Sequence, residues 1–435
     1  MRERIETIVI GGGQAGLATS YYLTREHREH VVLDQAARPA EAWRNHRWDS
    51  FTLNTPNWQS RLDGGGGNTT TRDPNGFMTR AEIVAYLEDY AKRYRLPVQY
   101  SVRVSAVKED EGRGFVVETN GGVMRAKNVV VATGLYQKPR ISRVPGALSQ
   151  DVLQLHSDGY RNPGALPEGA VLVVGSAQSG AQIAEELYES GRKVYLSVSR
   201  SGRVPRRYRG QDVNWWSDLL GVYERTADQL PSPRARYAGK PHISGTKGGH
   251  TLNLHQFAME GVTLVGHVAE VDGWRVRFAR DLHENLAKAD QFEAELTGKV
   301  DEYIKTNHLR VREEVLPRLT AGFAQQEIEM LDLKEAGVGT VLWATGYGFD
   351  FASMVRLPIF DADGFPVQRN GVTEYPGLYF VGLPWLRNAK SGILYGVSAD
   401  AEYVVERIVD RDWEEGPACS MFVEAKEVAG EADEL

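Results

Sequence analysis

Cysteine is almost absent: Cys419 is the only one in 435 residues. That count excludes an internal disulfide, a paired-cysteine redox centre and a cysteine metal cluster, and it suits a reducing cytoplasm. Long apolar runs are missing as well, and none approaches the ~20 residues that a membrane-spanning helix needs. The first β-branched strand begins within a few residues of Met1, so no signal peptide is expected. Positive charge is not in excess: 51 Lys and Arg stand against 58 Asp and Glu, a net charge of −7, which argues against nucleic acid as a partner. His242, His250 and His255 lack zinc-signature spacing and are expected as loop or pocket-wall residues, with no metal site. What remains is 42% hydrophobic and 25% charged, ordinary for a soluble protein, and long enough for two domains or more. The expectation is a cytoplasmic monomer or homodimer.

Glycine, by contrast, is abundant and placed with a pattern. The β-branched run Ile8 to Ile10 stops at Gly11, and Gly11, Gly13 and Gly16 follow at the dinucleotide-fingerprint spacing before an apolar, helix-compatible segment, Leu17 to Leu23. Gly11 permits the tight turn, Gly13 lets backbone approach a pyrophosphate, and Gly16 lets helix pack on strand. The helix N-terminus would face the phosphates. Asp34 closes the next apolar run, Val31 to Leu33, where a carboxylate can take the ribose hydroxyls. A second unit repeats the pattern: Val171 to Val174, then Gly175-Ser176-Ala177-Gln178-Ser179-Gly180, then a helix through Leu187. Its acceptor strand, Lys193 to Val198, ends in Ser199-Arg200 with no acid, which suits a 2′-phosphate. Two nucleotide units call for two cofactors, or for one duplicated fold with one site lost.

Between and beyond these units the signals are local. Glu41 to Trp58 is polar, aromatic and aperiodic and is expected as loop; its tryptophans either pack that loop onto the core or flank a planar cofactor. Gly64 to Thr71 suggests a mobile loop. Thr79 with Glu82 forms a capping-box pattern before an apolar stripe, Ile83, Tyr86, Leu87 and Tyr90. Strands are expected at Val98 to Val107, Phe115 to Thr119 and Val123 to Ala132, the last running into Thr133-Gly134. Arg203, Arg206, Arg207 and Arg209 form a basic run, either phosphate-directed or a solvated loop. Paired strands around Val262 to Phe278 and a long polar helix, Asp281 to His308, follow. Thr340 to Trp343 is a strand ending in Ala344-Thr345-Gly346-Tyr347, and Gly377 to Gly382 is another. Tyr395 to Val409 is helical, and Glu414 to Leu435 is an acidic, weakly patterned tail.

Taken together, these motifs resemble the class B flavoprotein monooxygenases, the group holding flavin-containing monooxygenases and Baeyer–Villiger enzymes, over nearly the whole chain. The insert after Ser201 is similar to a bacterial subgroup of unassigned substrate, often encoded beside a nitrilase, which favours a nitrogen-containing substrate. The resemblance implies an α/β fold with two Rossmann-like, three-layer dinucleotide-binding domains, the FAD domain being discontinuous. Residues 1–160 would begin the FAD domain, 161–335 would form the NADP domain with its helical and β insert, and 336–435 would complete the FAD domain with a C-terminal helix. FAD would lie on Gly11, Gly13, Gln14, Ala15 and Gly16, with Asp34 and Gln35, and with Val104, Ala132, Thr133 and Gly134. Gly382 and Leu383 resemble the late glycine strand at the FAD pyrophosphate, with Ser391, Gly392 and Ile393 beyond. Trp43-Arg44 matches a family Trp-Arg pair near the flavin, and Asn54-Thr55-Pro56 resembles its Asn-x-Pro segment beside the ring. NADPH would take Gly175 to Gly180, Ser199 and Arg200, while Ala344, Thr345 and Gly346 mark a crossover strand end. Two positions depart from the family: Ala177 replaces the middle glycine, and the signature histidine survives as His156 with Gln150 and Val152 in place of its phenylalanine and glycine.

The chemistry the resemblance implies is flavin reduction by NADPH, then O₂ addition to give a C(4a)-peroxyflavin that delivers one oxygen atom to a small molecule. Asn54 would hold the peroxide or steer the substrate; alternatively it only closes the turn before Pro56. The cofactor carries the reactivity, so no nucleophile or triad is required. Two other functions stay open on the residues alone: a flavin oxidase or reductase without oxygen transfer, and a non-catalytic FAD-binding sensor.

Overall fold

The computed structural model describes residues 4–64, 73–111, 114–141, 144–239 and 241–414. The Gly/Thr stretch beyond Gly64 and the acidic tail beyond residue 414, Cys419 included, lie outside them. β1 (Ile5–Ile10), β2 (His30–Leu33), β3 (Val98–Gln99), β4 (Val104–Glu109), β5 (Phe115–Thr119) and β6 (Gly122–Val131) share one sheet in the order β3-β2-β1-β6-β5-β4. The late strand Leu378–Phe380 pairs in parallel with β6, so the first domain is completed by residues far downstream. Alternation sorts the side chains. Val9, Val32, Val130 and Tyr379 pack with α1 (Gln14–Arg25), α3 (Arg80–Arg93) and the terminal helix Val397–Glu414. Ile8, Ile10, Val31, Leu33 and Val131 fill the opposite face with Phe351, Ile359 and Phe365. The Thr79 capping box forms as expected, with its side chain taking the Glu82 amide and Glu82 taking the Thr79 amide.

The second sheet is wholly parallel, in the order Thr263–Val265, Val194–Ser197, Ala170–Val174, Val338–Trp343, Leu153–His156. One face packs on α4 (Gln178–Glu189) and the helices Leu254–Met259 and Leu282–Thr306. The other is covered by a three-stranded antiparallel sheet, Val268–Asp272, Arg275–Phe278 and Met330–Asp332. Three expectations change. Leu153–His156 and Val338–Trp343 belong to the second sheet, so the chain crosses between domains before residue 153 and after residue 343, not at 160 and 335. The run from Val98 is two strands, broken where Ser101 takes a φ of 61°. The loop after Asp34 contains a short helix, α2 (Glu41–Arg44).

Candidate cofactor and substrate site

Each sheet presents a glycine turn at the C-terminal end of a central strand, the place where open α/β sheets bind ligands. Gly11 has a φ of 106°, and a Cβ there would stand 2.8 Å from the Ala132 carbonyl oxygen. A Cβ on Gly16 would stand 1.8 Å from the Gly11 oxygen, so only glycine lets α1 sit this close to β1. A Cβ on Gly13 would meet nothing within 4 Å, which leaves an open cradle over the first turn of α1. The late segment closes one side of it. Gly382, at a φ of 83°, is pressed against Ala15, and the Gln14 amide donates to the Gly392 carbonyl at 2.8 Å. Gly392 packs on Leu383, and the Ser391 hydroxyl accepts from the Arg387 and Asn388 amides. Gly11, Gly13, Gln14, Ala15, Gly16, Ala132, Thr133, Gly382, Leu383 and Gly392 are thus brought together from four segments. An open cradle with glycine at every close approach fits a dinucleotide pyrophosphate.

Asp34 stands at the end of β2, half-buried, and is tied down by two backbone amides. Oδ2 accepts from Gly12 at 2.6 Å and Oδ1 from Ala36 at 2.8 Å. Each oxygen keeps a lone pair for a hydroxyl. Gln35 is exposed. Val104 opens β4 at the sheet's other edge and packs into the apolar layer holding Leu33 and Val131. Gly134 has a φ of 70°, and its carbonyl accepts from the Gln137 amide. On α2, Trp43 packs against Phe51 with ring centres 5.9 Å apart, and Arg44 pairs with Glu88 while its Nε is buried without a partner. Ile393 follows Gly392, half-buried.

The second turn repeats the first in backbone detail. Gly175 has a φ of 102° and lies against the Ala344 carbonyl, and a Cβ on Gly180 would stand 1.8 Å from the Gly175 oxygen. Ala177 has φ −71° and ψ −172°, against −79° and −170° for Gly13. Alanine therefore occupies the middle position without strain. Ser176 is buried and its hydroxyl accepts from the Ser199 amide at 3.1 Å. Ser179 is half-buried in the first turn of α4, and Arg200 is exposed. The Gln178 side-chain amide donates to the Ile243 carbonyl and accepts from the Ile243 amide at 3.2 Å. The Thr345 hydroxyl donates to the Arg140 carbonyl, and the Gly346 carbonyl accepts from Arg140 and from His156 Nε2 at 2.9 Å. Burial lowers the pKa of His156, and Asp158 beside it bonds both His46 and Tyr347. The surviving signature histidine thus stands at the crossing between the domains.

Arg203 and Arg206 of the basic run are neither a phosphate cluster nor a solvated loop. Arg203 is buried between Asp290 and Glu293, and Arg206 is buried against Asp212. Arg207 donates to the Gly248 and Gly249 carbonyls. The carboxylates of Arg203 come from a distant helix, which local sequence cannot reveal, while Asp212 lies six residues beyond Arg206. The three histidines are held by bonds of their own kind. His242 is buried, its pKa lowered to about 3 by desolvation, while His250 bonds Glu185 and His255 bonds Asp290 and the Gly322 amide. Among the described residues no group of three or more His, Cys, Asp or Glu side chains could hold a metal, and no helix is long and apolar enough to cross a membrane.

Asn54 joins this site through its backbone. The Asn54 carbonyl accepts from Arg206 Nη1 at 2.8 Å and Asn214 Nδ2 at 3.3 Å, and the Thr55 hydroxyl bonds Ser60. Asn214 belongs to α5 (Val213–Leu219), within the insert, which also reaches Tyr395: the Tyr395 hydroxyl donates to Asp218, and its ring lies 5.4 Å from that of Tyr223 and 5.9 Å from that of Trp58. The aromatic loop, the insert and the late segment therefore meet around one region.

Two glycine cradles on two sheets, one domain completed by downstream residues, define a protein with two dinucleotide-binding domains. Residues 8–214 match the family model described as pyridine nucleotide-disulphide oxidoreductase. An uncharacterized CzcO-like oxidoreductase of Geobacillus kaustophilus is 35% identical over 94% of this chain and 100% of its own, and an uncharacterized CzcO oxidoreductase of Bacillus subtilis is 31% identical over 93% and 99%. A flavin-containing monooxygenase from Stenotrophomonas maltophilia shares the fold, with a TM-score of 0.65 at 21% identity over 94% of this chain and 99% of that one. The chain belongs to the CzcO-like oxidoreductases.

Proposed function

We propose that the chain spends NADPH and O₂ to place one oxygen atom in a small organic substrate, with FAD on the first cradle and NADPH on the second. The observation that carries this reading is the repetition of one backbone turn at both sheets, open at Gly13 and bordered by an exposed Arg200 rather than an acid at the second. Bound flavin would supply hydride acceptance and oxygen activation; the protein supplies binding, orientation and water exclusion. The first-turn amides of α1 and α4 face the two pyrophosphates. Asp34, held by Gly12 and Ala36, offers its free lone pairs to the adenosine ribose. Arg200 reads the 2′-phosphate of NADPH. Trp43, Arg44 and Thr55 line the flavin side. The Asn54 amide, its own carbonyl already engaged, is left to bond the reacting oxygen or the substrate. Substrate enters where Trp58, Tyr223 and Tyr395 meet.

Mass spectrometry of products formed under labelled O₂, across a panel of amines, sulfides and ketones, tests the reading. Label in one product, with NADPH consumed in equal amount, supports it. NADPH consumption with no label in any organic product would make the chain an oxidase or reductase, and binding of FAD without bleaching by NADPH would make it a sensor.

A further inference from the structure

Arg206 is 2% exposed and uses every donor it has. Nε and Nη2 bond both oxygens of Asp212, Nη1 reaches the Asn54 carbonyl at 2.8 Å and the Ser244 carbonyl at 3.5 Å, and the guanidinium lies 4.5 Å above the Phe77 ring. Burying an ion pair brings little net stability, because desolvation offsets the attraction and an apolar pair of like volume packs as well. What an apolar pair cannot do is direct donors at a chosen carbonyl. Asp212 also caps α5 by accepting from the Asn214 amide at 2.9 Å, and the Asn214 side chain donates to the same Asn54 carbonyl while accepting from the Tyr223 hydroxyl at 2.7 Å.

Both lone pairs of the Asn54 carbonyl are therefore filled, one by Arg206 and one by Asn214. That fixes the peptide plane between Asn54 and Thr55. Pro56 restricts Thr55 to extended conformations from the other side. The Asn54 side chain keeps only its own two torsions.

We infer that Arg206, Asp212 and Asn214 form a positioning clamp: the insert of the second domain sets the direction in which the Asn54 amide points. The inference rests on the reading of Asn54 as the residue at the reacting edge. The clamp residues touch neither cofactor nor substrate; they act through Asn54.

The test is a cycle of variants: Asn54→Ala, the pair Arg206→Met with Asp212→Leu, and all three together. The paired replacement avoids stranding a buried charge; Asn214→Asp, which turns a donor into an acceptor, runs through the same cycle and decides the matter if the pair does not fold. Two quantities are read: peroxide released during NADPH oxidation without substrate, and deuterium uptake by the 52–60 peptide in the FAD-free protein. The clamp predicts faster uptake in that peptide, parental FAD content, several-fold more peroxide in each of Asn54→Ala and the clamp variants, and no further rise when they are combined. Parental peroxide release from the clamp variants beside a raised Asn54→Ala would overturn the clamp and spare the reading of Asn54. Effects that multiply would overturn it equally. Parental release from Asn54→Ala would instead sink the reading of Asn54 itself.

Discussion

Gly13 and Gly16 stand three residues apart in one turn, yet a methyl group at each should do opposite things. At Gly13 the added Cβ meets nothing within 4 Å, and the backbone, at φ −79° and ψ −170°, is open to any residue. Gly13 is the N-cap of α1. Alanine caps worse than glycine by about 0.5–1 kcal/mol, while the smaller freedom of the unfolded chain returns about 0.4–1 kcal/mol. The FAD-free Gly13→Ala protein should therefore unfold in urea at the parental midpoint. The methyl projects into the space a pyrophosphate would take, and overpacking of that kind costs about 1–3 kcal/mol, or roughly 5- to 150-fold in Kd for FAD. At Gly16 the Cβ falls 1.8 Å from the Gly11 oxygen, so α1 must lift from β1 whether or not a cofactor is present. Gly16→Ala should lose stability as the apoprotein, by about 3 kcal/mol or more. Urea titration of both apoproteins and quenching of FAD fluorescence on reconstitution measure the two effects separately. An unchanged Kd for FAD in Gly13→Ala would refute the placement of the pyrophosphate, and a large loss of apoprotein stability in that variant would refute the open cradle.

Arg200→Ala should raise the KM for NADPH about tenfold, the value of a lost charge-assisted hydrogen bond, and leave that for NADH nearly unchanged; equal effects would assign Arg200 a structural role. The hydrogen bond from Glu185 raises the pKa of His250. A raised pKa gives stability that is whole below about pH 6.5, the unfolded value, and is lost as pH rises through the folded one. His250→Gln should thus be less stable than the parent at pH 6 and converge on it above pH 8, as urea midpoints across pH would show. Asp400 is 2% exposed, and desolvation raises its pKa to about 7, with one oxygen unpartnered. Its ionisation therefore opposes folding above the unfolded pKa of about 3.9, by an amount that grows up to pH 7 and stays constant beyond. In the FAD-free protein Asp400→Asn should be more stable than the parent at pH 8 by about 2–4 kcal/mol, with the difference gone near pH 4.

Legibility followed the range of the interactions. Strand, glycine turn and helix at Ile8 to Leu23 and at Val171 to Leu187 are local signals and stand where expected, as does the Thr79 cap. The strand at Val338–Trp343 was visible as a β-branched run, but not its sheet. It pairs with Ala170–Val174 on one side and Leu153–His156 on the other, and a parallel register across so much chain leaves no mark in either segment. Arg203 failed for the same reason, whereas the partner of Arg206 stands only six residues on. Arg203 and Arg206 sit among glycine, proline and tyrosine, like a surface loop, while the carboxylates that bury Arg203 lie on a helix some ninety residues on. Gln178 occupies a motif position, and only the fold shows that Ile243 takes both ends of its amide.

The two cradles share a turn but not a cover. At the first, the late segment approaches from one side, and Gly13 stays open. At the second, Gln178 and Gln182 both donate to the Ile243 carbonyl, and Gly239 lies beside the Ala177 methyl, so the insert itself borders the start of α4. A nucleotide arriving there would meet a methyl group where the first cradle has none, and a Gln178 side chain already bonded at both ends to Ile243. Fewer of its contacts can be made without cost, so it should be held more loosely. That would suit the proposed function, with a resident flavin on the open cradle and an exchanging nicotinamide nucleotide on the bordered one. The segment that borders it, from Ile243 to Gly245, continues to the Asn54 loop, where a Cβ on Gly245 would stand 1.8 Å from the Leu53 oxygen and where Arg206 reaches Ser244 and Asn54 together. The residues that border the second cradle are thus continuous with those that hold Asn54.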